Sequence, residues 1–579
     1  MNQGDRQTSN RPILQFDQFP ENDFMPDSGS SHLPKTPCFA TQLWFSCPRS
    51  AYLVGICGSG MKALAEVLLD RDWLVAGSDL QGDGAVGEIL RLKGARVFAS
   101  HSAAQIPAGV DILIFSSAVK PETPERAWAA AHEVPQFAYH ELLGELMESK
   151  IGISISGTHG KSTTTALTGC ILTSAGLSPT VVVGAEVLGR QANGWSGSGP
   201  HLVAESCEYR RHFLSLRPQL ATILGIEADH FDCFAGTDET AKAFQEFAAL
   251  IPATGILVIH RECSASQFAA QSAVCAIETI SMNHTPQPYY DAEMTESRGD
   301  EVTCLGLVAN SASLDLLTPS SLAKVIGMID GNALASGSNS THISDPEEVS
   351  GKISPATGPN PEPATWTAEN IEKTEHGYRF HILHRGAKFC SAHLNIPGRH
   401  HVLNVLAATA LCFRAGATPE QISAGIAEFR GIRRRFEVLG DWRGVTIVDD
   451  YAHHPTAIRA TLRTAKEQYL GRRIVCVFQP HQVSRTLGLL DQFAHSFSDA
   501  AEVLIVPVYG ARENFERELS EVSLGLAELI AAEGVPARFC SRLDQTWTSL
   551  EDTLRPGDVL ITLGAGDIDR IHSTLHGLR

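Results

Sequence analysis

Gly157-Thr158-His159-Gly160-Lys161-Ser162-Thr163 is the stretch whose reading decides the fold. It follows Lys150-Ile151-Gly152-Ile153-Ser154-Ile155-Ser156, an apolar, β-branched run that reads as a buried strand. After it, Thr164-Thr165-Ala166-Leu167-Thr168 opens a helical pattern. Strand, glycine turn and helix start are the context a phosphate loop needs. The two glycines let backbone N–H groups close around phosphate oxygens, and the helix N-terminus adds its positive dipole end. Lys161 can reach the outer phosphates, and the Ser162 hydroxyl is placed to bind Mg²⁺. A chance Lys-Ser after a glycine turn explains the flanking strand and helix poorly.

Downstream, the apolar run Leu202-Val203-Ala204 ends in Glu205, and Leu220 to Ile226 reads as a strand ending in Glu227-Ala228-Asp229-His230. A carboxylate and an imidazole at separate strand ends, beside a Mg²⁺-binding serine, suggest a metal set of Ser162, Glu205 and His230. For His230 alone, a structural role is the safer reading. The loop and Glu205 together favour the functional one.

Upstream, Ala51-Tyr52-Leu53-Val54 feeds Gly55-Ile56-Cys57-Gly58-Ser59-Gly60-Met61, then a helix, then a strand ending in Asp79. This is a βαβ unit with glycines at its first turn and an acid about 20 residues on. The spacing G-x-x-G-x-G departs from the dinucleotide fingerprint G-x-G-x-x-G, so the turn suits the pyrophosphate of a UDP-sugar better than NAD. A third strand, Asp111 to Phe115, ends in Ser116-Ser117 at the edge where such sheets bind ligands. By themselves those serines are ordinary turn residues.

A third α/β pattern follows Gly431-Ile432-Arg433-Arg434-Arg435-Phe436. Strand Val445–Val448 ends in Asp449-Asp450-Tyr451-Ala452-His453-His454-Pro455, and strand Arg473–Phe478 ends in Gln479-Pro480-His481-Gln482-Val483-Ser484-Arg485-Thr486. Polar clusters at successive strand ends fit ligand binding better than surface charge.

Composition sets the outer limits. The chain has 579 residues, 43% hydrophobic, with formal charge −19 and thirteen scattered Cys. About 150 residues per domain predicts three or four domains. The acidic balance argues against nucleic acid or anionic membrane as partners. No apolar run reaches roughly 18 residues, no signal-peptide pattern opens the chain, and the cysteines form no CxxC sets, so a soluble cytoplasmic protein with reduced thiols is expected. The expected assembly is a monomer or weak homodimer. Residues 1–48 read as a disordered extension, and the Ser, Asn, Gly and Pro enrichment over about 306–366 reads as an insertion. The domains expected are 49–149 for the UDP-sugar, 150–432 carrying the phosphate loop and 433–579 as the third α/β pattern, all α/β and Rossmann-like or phosphate-loop-like.

Together, GTHGKST, GIEADH at 225–230, DDYAHHP at 449–455 and FQPHQVSRT at 478–486 resemble the Mur ligase family, over nearly all of residues 51–575 except the insertion. The last two, with GICGSGM at 55–61, point to its alanine-adding branch. The resemblance implies that ATP phosphorylates the carboxylate of UDP-N-acetylmuramate, that L-alanine captures the acyl phosphate, and that the product serves peptidoglycan synthesis. It implies ATP contacts from Gly157 through Thr163, from Asn404 beside adenine, and from Arg434 and Asp450. It implies catalytic roles for Lys161, His230, Arg434, His453, His481 and Arg485, the last gripping the alanine carboxylate as a bidentate pair. Gly58, Ser59, Gly60, Asp79, Ser116 and Ser117 would line the UDP end.

Four positions depart from the family pattern. Arg399-His400-His401 stands for Arg-His-Asn, which moves the adenine contact to Asn404. Glu205-Ser206-Cys207-Glu208-Tyr209-Arg210 keeps both glutamates of its motif and loses both aspartates. Gln482 replaces an arginine. Phe244, 14 positions after His230, stands where sister ligases carry a carbamylated lysine, so no carbamate is expected. The rival readings are a murein-peptide ligase, which diverges at Phe478-Gln479-Pro480-His481, a folylpolyglutamate-type synthetase, which needs no UDP-binding domain, and a non-catalytic nucleotide-binding relative.

Overall fold

The computed structural model describes residues 49–234, 236–282, 364–511, 513 and 518–574. The expected N-terminal extension and residues 306–363 of the expected insertion lie outside them. The insertion's expected end at 366 is too late. Ala364 and Trp366 are buried, and Trp366 opens a strand with its indole Nε1 donating to Glu278 Oε2 at 2.7 Å. The Pro- and Thr-rich run before this tryptophan hides the strand start.

The chain divides into two compact units after Ser149. The first holds a five-stranded parallel sheet in the order Arg96–Phe98, Leu74–Ser78, Ser50–Val54, Ile112–Phe115, Gln136–Ala138. Its central strand is buried along its whole length, as a parallel strand covered on both faces requires. The chain runs first to one side of Ser50–Val54 and later to the other. The turns after Val54 and Phe115 therefore share a switch point, the crevice where open α/β sheets take ligands.

The second unit contains two sheets. The ten-stranded one runs Ala387–Leu394, Tyr378–His384, Trp366–Lys373, Ala276–Ser281, Ile256–His260, Leu220–Ile223, Ile151–Ser156, His201–Glu205, Thr180–Val187, Ala192–Trp195. Its middle strands are parallel and its edges antiparallel. Ile151–Ser156 lies between Leu220–Ile223 and His201–Glu205, with Ser156 opposite Ile223 and Ile155 opposite Glu205. This register brings the segments beginning at 157, 206 and 224 out at one edge. The strand expected to reach Ile226 stops at Ile223, which releases Glu227 through His230 from the ladder. Helix Lys161–Ser174 buries Leu167, Ile171 and Leu172, each worth about 2–3 kcal/mol.

The six-stranded sheet runs Glu437–Trp442, Val445–Asp450, Val559–Leu563, Ile474–Phe478, Glu502–Ile505, Ala537–Phe539, parallel except for its first pair. Its three adjacent central strands deliver residues 451–455, 479–485 and 564–567 to one edge. Among the described residues, no helix is long and apolar enough to cross a membrane.

Candidate active site

In the first unit, helix Ser59–Leu69 starts at Gly58, so the N–H groups of Ser59 and Gly60 fall in a first turn that lacks intrahelical acceptors. Gly55 takes φ +82°, and Ser116 Cβ would sit 3.0 Å from a Cβ added there. The glycine turn and Ser116, with Ser117 half-buried after it, therefore share one crevice. Asp79 braces that turn: its Oδ2 accepts from Cys57 N at 3.0 Å and its Oδ1 from Gln81 N at 2.9 Å.

In the second unit, Gly157 and Gly160 have φ +124° and +80°. A side chain at Gly157 would meet Leu224 N at 2.9 Å, and one at Gly160 would meet Asn404 Oδ1 at 2.7 Å. The Thr158 hydroxyl is engaged by the Glu227 backbone. It accepts from Glu227 N at 2.9 Å and donates to Glu227 O at 3.3 Å. Lys161 Nζ donates to Gly157 O (2.6 Å), Thr158 O (3.2 Å) and Glu208 Oε1 (3.0 Å). Burial alone would lower its pKa, but Glu208, Cys207 and Glu205 together outweigh burial and keep the amine charged.

The expected metal set is only partly assembled by direct contacts. Ser162 Oγ donates to Glu205 Oε1 at 3.0 Å, and Glu205 Oε2 accepts from Gly184 N at 2.7 Å. His230, at φ +54°, turns its Nε2 to Glu208 Oε1 at 3.7 Å and lies edge-on to Tyr209 at 5.2 Å. Glu208 thus joins the Lys161 ammonium to the His230 ring, a role the sequence reading did not give it, although the residue was in view. His159, Glu227 and His454 also bring ligand atoms within 4.8 Å of one another. Their lone pairs are partly spent on protein donors, since Thr456 Oγ1 donates to Glu227 Oε2 at 2.7 Å and Thr456 N to His454 Nδ1 at 3.4 Å. Phe244 packs in the core against Phe213, with Lys242 exposed.

A cleft opens between the two sheets of this unit, lined by Gly160, Thr163, His401, Asn404, Arg435 and Asp450, among others. Asn404 Nδ2 donates to His401 Nδ1 at 3.0 Å, and burial holds the His401 imidazole neutral. Arg434, expected to face ATP, instead donates to Gly564 O (2.7 Å) and Gly566 O (3.1 Å) and pairs with Asp449 at 3.2 Å. Its neighbour Arg435 lines the cleft, because a left-handed φ of +57° at Arg434 turns the two side chains apart. Asp450 lines the cleft too, but its oxygens accept from Phe436 N and Ala452 N, both at 2.7 Å, and burial raises its pKa.

His453, His481 and Arg485 form the third group. The rings of His453 and His481 lie 5.7 Å apart. His453 donates Nδ1–H to Tyr451 O at 2.9 Å, which leaves the lone pair on Nε2. Burial, then Arg485, keeps this ring neutral. The expected bidentate grip of Arg485 on a carboxylate is not available in this arrangement. Its Nε is spent on Asp229 Oδ1 at 2.7 Å, and its Nη1 on His481 Nδ1 (2.9 Å) and His481 O (3.1 Å). Gln482 is buried, with its backbone N donating to Tyr509 O at 2.9 Å. The sequence reading assigned no role to Glu227 or Asp229. Both lay inside a motif it had singled out, but only a fold could reveal that they meet Thr456 and Arg485, more than 200 positions away.

Three family models match: "Mur ligase family, catalytic domain" over residues 50–151, "Mur ligase middle domain" over 155–318 and "Mur ligase, glutamate ligase domain" over 434–566. The UDP-N-acetylmuramate–L-alanine ligase of Desulfitobacterium hafniense (strain Y51) is 34% identical over 531 residues, 91% of this chain and 99% of the relative. That of Nitratidesulfovibrio vulgaris (strain DP4) is 34% identical over 525 residues, 90% of this chain and 97% of the relative. Among solved structures, the UDP-N-acetylmuramate-alanine ligase of Thermotoga maritima superposes with TM-score 0.64 at 23% identity, covering 91% of this chain and 99% of its own. A murein peptide ligase of Psychrobacter arcticus 273-4 does so with TM-score 0.60 at 21% identity, covering 91% and 98%. These two likenesses describe the fold.

Proposed function

This chain belongs to the Mur ligase family, and from that premise we propose that it joins L-alanine to the carboxylate of UDP-N-acetylmuramate, converting ATP to ADP and phosphate, as a cytoplasmic step of peptidoglycan precursor synthesis. The observation that carries this reading is that ligases of that activity match the chain along nearly the whole of their own length.

The chemistry divides between the sheets of the second unit. Phosphoryl transfer needs positioning and neutralised charge more than covalent help. Lys161 now spends its three donors on two loop carbonyls and Glu208, and incoming phosphate oxygens would take the places of the carbonyls. A muramate carboxylate oxygen forms a bond to the γ-phosphorus as the bond to the β-bridging oxygen breaks, and ADP leaves. The residues fit a magnesium ion: Ser162 and Glu205 offer hard oxygens side by side, with His230 as the third expected ligand. When bound, the ion neutralises phosphate charge.

Alanine arrives as an ammonium and must lose a proton before its nitrogen attacks the acyl carbon and phosphate leaves. His453 suits that task, being neutral, fixed in one tautomer and presenting Nε2 as an acceptor. With two of its nitrogens engaged, Arg485 serves in this reading to orient His481 and to supply positive charge.

The test is ADP release by the full chain with ATP, magnesium and UDP-N-acetylmuramate. Release that depends on L-alanine, and that chelation with EDTA abolishes, is expected. Release that depends on a tripeptide in place of alanine would transfer the chain to the murein-peptide branch. Release indifferent to any amine acceptor would refute ligation.

A further inference from the structure

Glu227 belongs to neither the nucleotide set nor the amino-acid set, yet it touches the elements that carry both. On the nucleotide side, its backbone N and O are tied to the Thr158 hydroxyl, and its Oε2 lies 3.4 Å from His159 Nε2, so two consecutive residues of the phosphate loop rest on it. On the amino-acid side, the same Oε2 accepts from Thr456 Oγ1 at 2.7 Å and lies 3.5 Å from His454 Nδ1. Thr456 sits in the first turn of helix Pro455–Gln468, capped by His454, where a carboxylate also meets the positive end of the helix dipole.

The two residues that follow continue the pattern. Ala228 O accepts from His454 Nε2 at 3.2 Å, which fixes that ring with its Nδ1 turned to Glu227 and Thr456. Asp229 Oδ1 accepts from the buried Arg485 Nε at 2.7 Å. Three consecutive residues of the segment after strand Leu220–Ile223 thus hold Thr456, His454 and Arg485, which follow strands of the six-stranded sheet, and the fourth is His230. The held points are next to His453 on one side and include the Arg485–His481 pair on the other.

We propose that Glu227 is a positioning residue, the central pin of a clasp formed by Glu227, Ala228 and Asp229, which couples the phosphate loop to the amino-acid half of the site. A loop movement caused by nucleotide is passed through Thr158 and His159 to Glu227, and from there to Thr456 and His454. Such coupling matters because a misplacement of about 1 Å between reacting groups can cost a rate factor of roughly a hundred. The chain holds the two halves by short bonds on one rigid segment.

The inference rests on the ligase reading for its kinetic arm and on geometry alone for its exchange arm. Glu227→Gln keeps the shape and removes the charge. It is expected to raise the KM for L-alanine about tenfold while leaving the KM for UDP-N-acetylmuramate within about twofold. Thr456→Val is expected to do the same, and Thr456→Ser to restore the parent value. Glu227→Gln and Thr456→Val combined in one chain are expected to be less than additive. In the exchange arm, β,γ-imido-ATP with magnesium is expected to slow hydrogen exchange over residues 453–460 of the parent chain and not of Glu227→Gln. If the parent shows no alanine-dependent turnover, the ligase reading fails, and the exchange arm still decides the clasp. Equal protection of 453–460 in parent and variant would overturn the proposal. So would an unchanged alanine KM in a parent that does turn over.

Discussion

Lys161 is the residue on which the proposed phosphate chemistry turns, and its surroundings give a prediction that separates function from stability. The ammonium donates to Gly157 O, Thr158 O and Glu208. Removing it leaves Glu208 with His230 as a neighbour at 3.7 Å, so the buried carboxylate keeps a polar partner. Lys161→Ala should therefore lower alanine-dependent ADP release by a factor of about a hundred or more, as loss of a charge-neutralising group does, while far-UV dichroism stays that of the parent. More than about a tenth of parental turnover would remove the lysine from its assigned role. Arg434 teaches the opposite lesson at the same scale. Three arginines in a row, 433 to 435, could not be told apart from sequence, because which one enters the cleft depends on a left-handed φ at Arg434. Arg434→Ala should then act mainly through stability, by loosening the Gly564–Gly566 turn, and Arg435→Ala mainly through the KM for ATP. A melting curve beside an ATP titration distinguishes the two.

At the scale of elements, the phosphate loop was legible because each part of its signal is local. A β-branched strand, two glycines and a helix start are adjacent in the chain and need no partner to be recognised. The strand-end clusters were legible for a similar reason, since parallel strands buried on both faces read as apolar runs with polar punctuation. The strands Trp366–Lys373 and Ala387–Leu394, at the antiparallel end of the ten-stranded sheet, were not. They are antiparallel or marginal and mix Glu, Lys and Thr with apolar residues. Their place is set by neighbours such as Glu278, which holds Trp366 from 88 positions away. The loop itself carries a sharp expectation. Gly160 has φ +80°, and an added Cβ would lie 2.7 Å from Asn404 Oδ1. Gly160→Ala should cost about 1–3 kcal/mol of stability and, by pushing Asn404 out of the cleft wall, weaken ATP binding more than UDP-N-acetylmuramate binding. Calorimetric titration with each nucleotide checks the asymmetry. Equal losses for both would mean that the strain spreads through the fold instead of staying in the loop.

Across the second unit as a whole, the junction between its two sheets is built from histidines that folding keeps uncharged. Burial first, then neighbouring cations, pushes His400 and His454 down to about 4 and holds His401 and His453 well below their ordinary value. Each of these rings takes up its proton near pH 6.5 once the chain unfolds, so the unfolded state gains protons that the folded state refuses. Stability should fall as pH drops from about 6.5 toward 4, by up to roughly 3 kcal/mol for His454 alone, and then level off for that group. Glu227 adds a second, lower step. Burial would raise its carboxyl, but His159 and then the Thr456 bond bring it down to about 2, so what it contributes is present above about 4.5 and is lost as pH falls toward 2. Both terms have the same sign, and both act where the two sheets of the unit meet. Guanidinium midpoints taken at pH 7.5 and 5.0 should therefore differ in favour of the higher pH, and His454→Gln, which cannot titrate, should shrink the difference. A midpoint that rose on acidification, or a His454→Gln chain as acid-sensitive as the parent, would mean that this junction does not govern the cohesion of the unit.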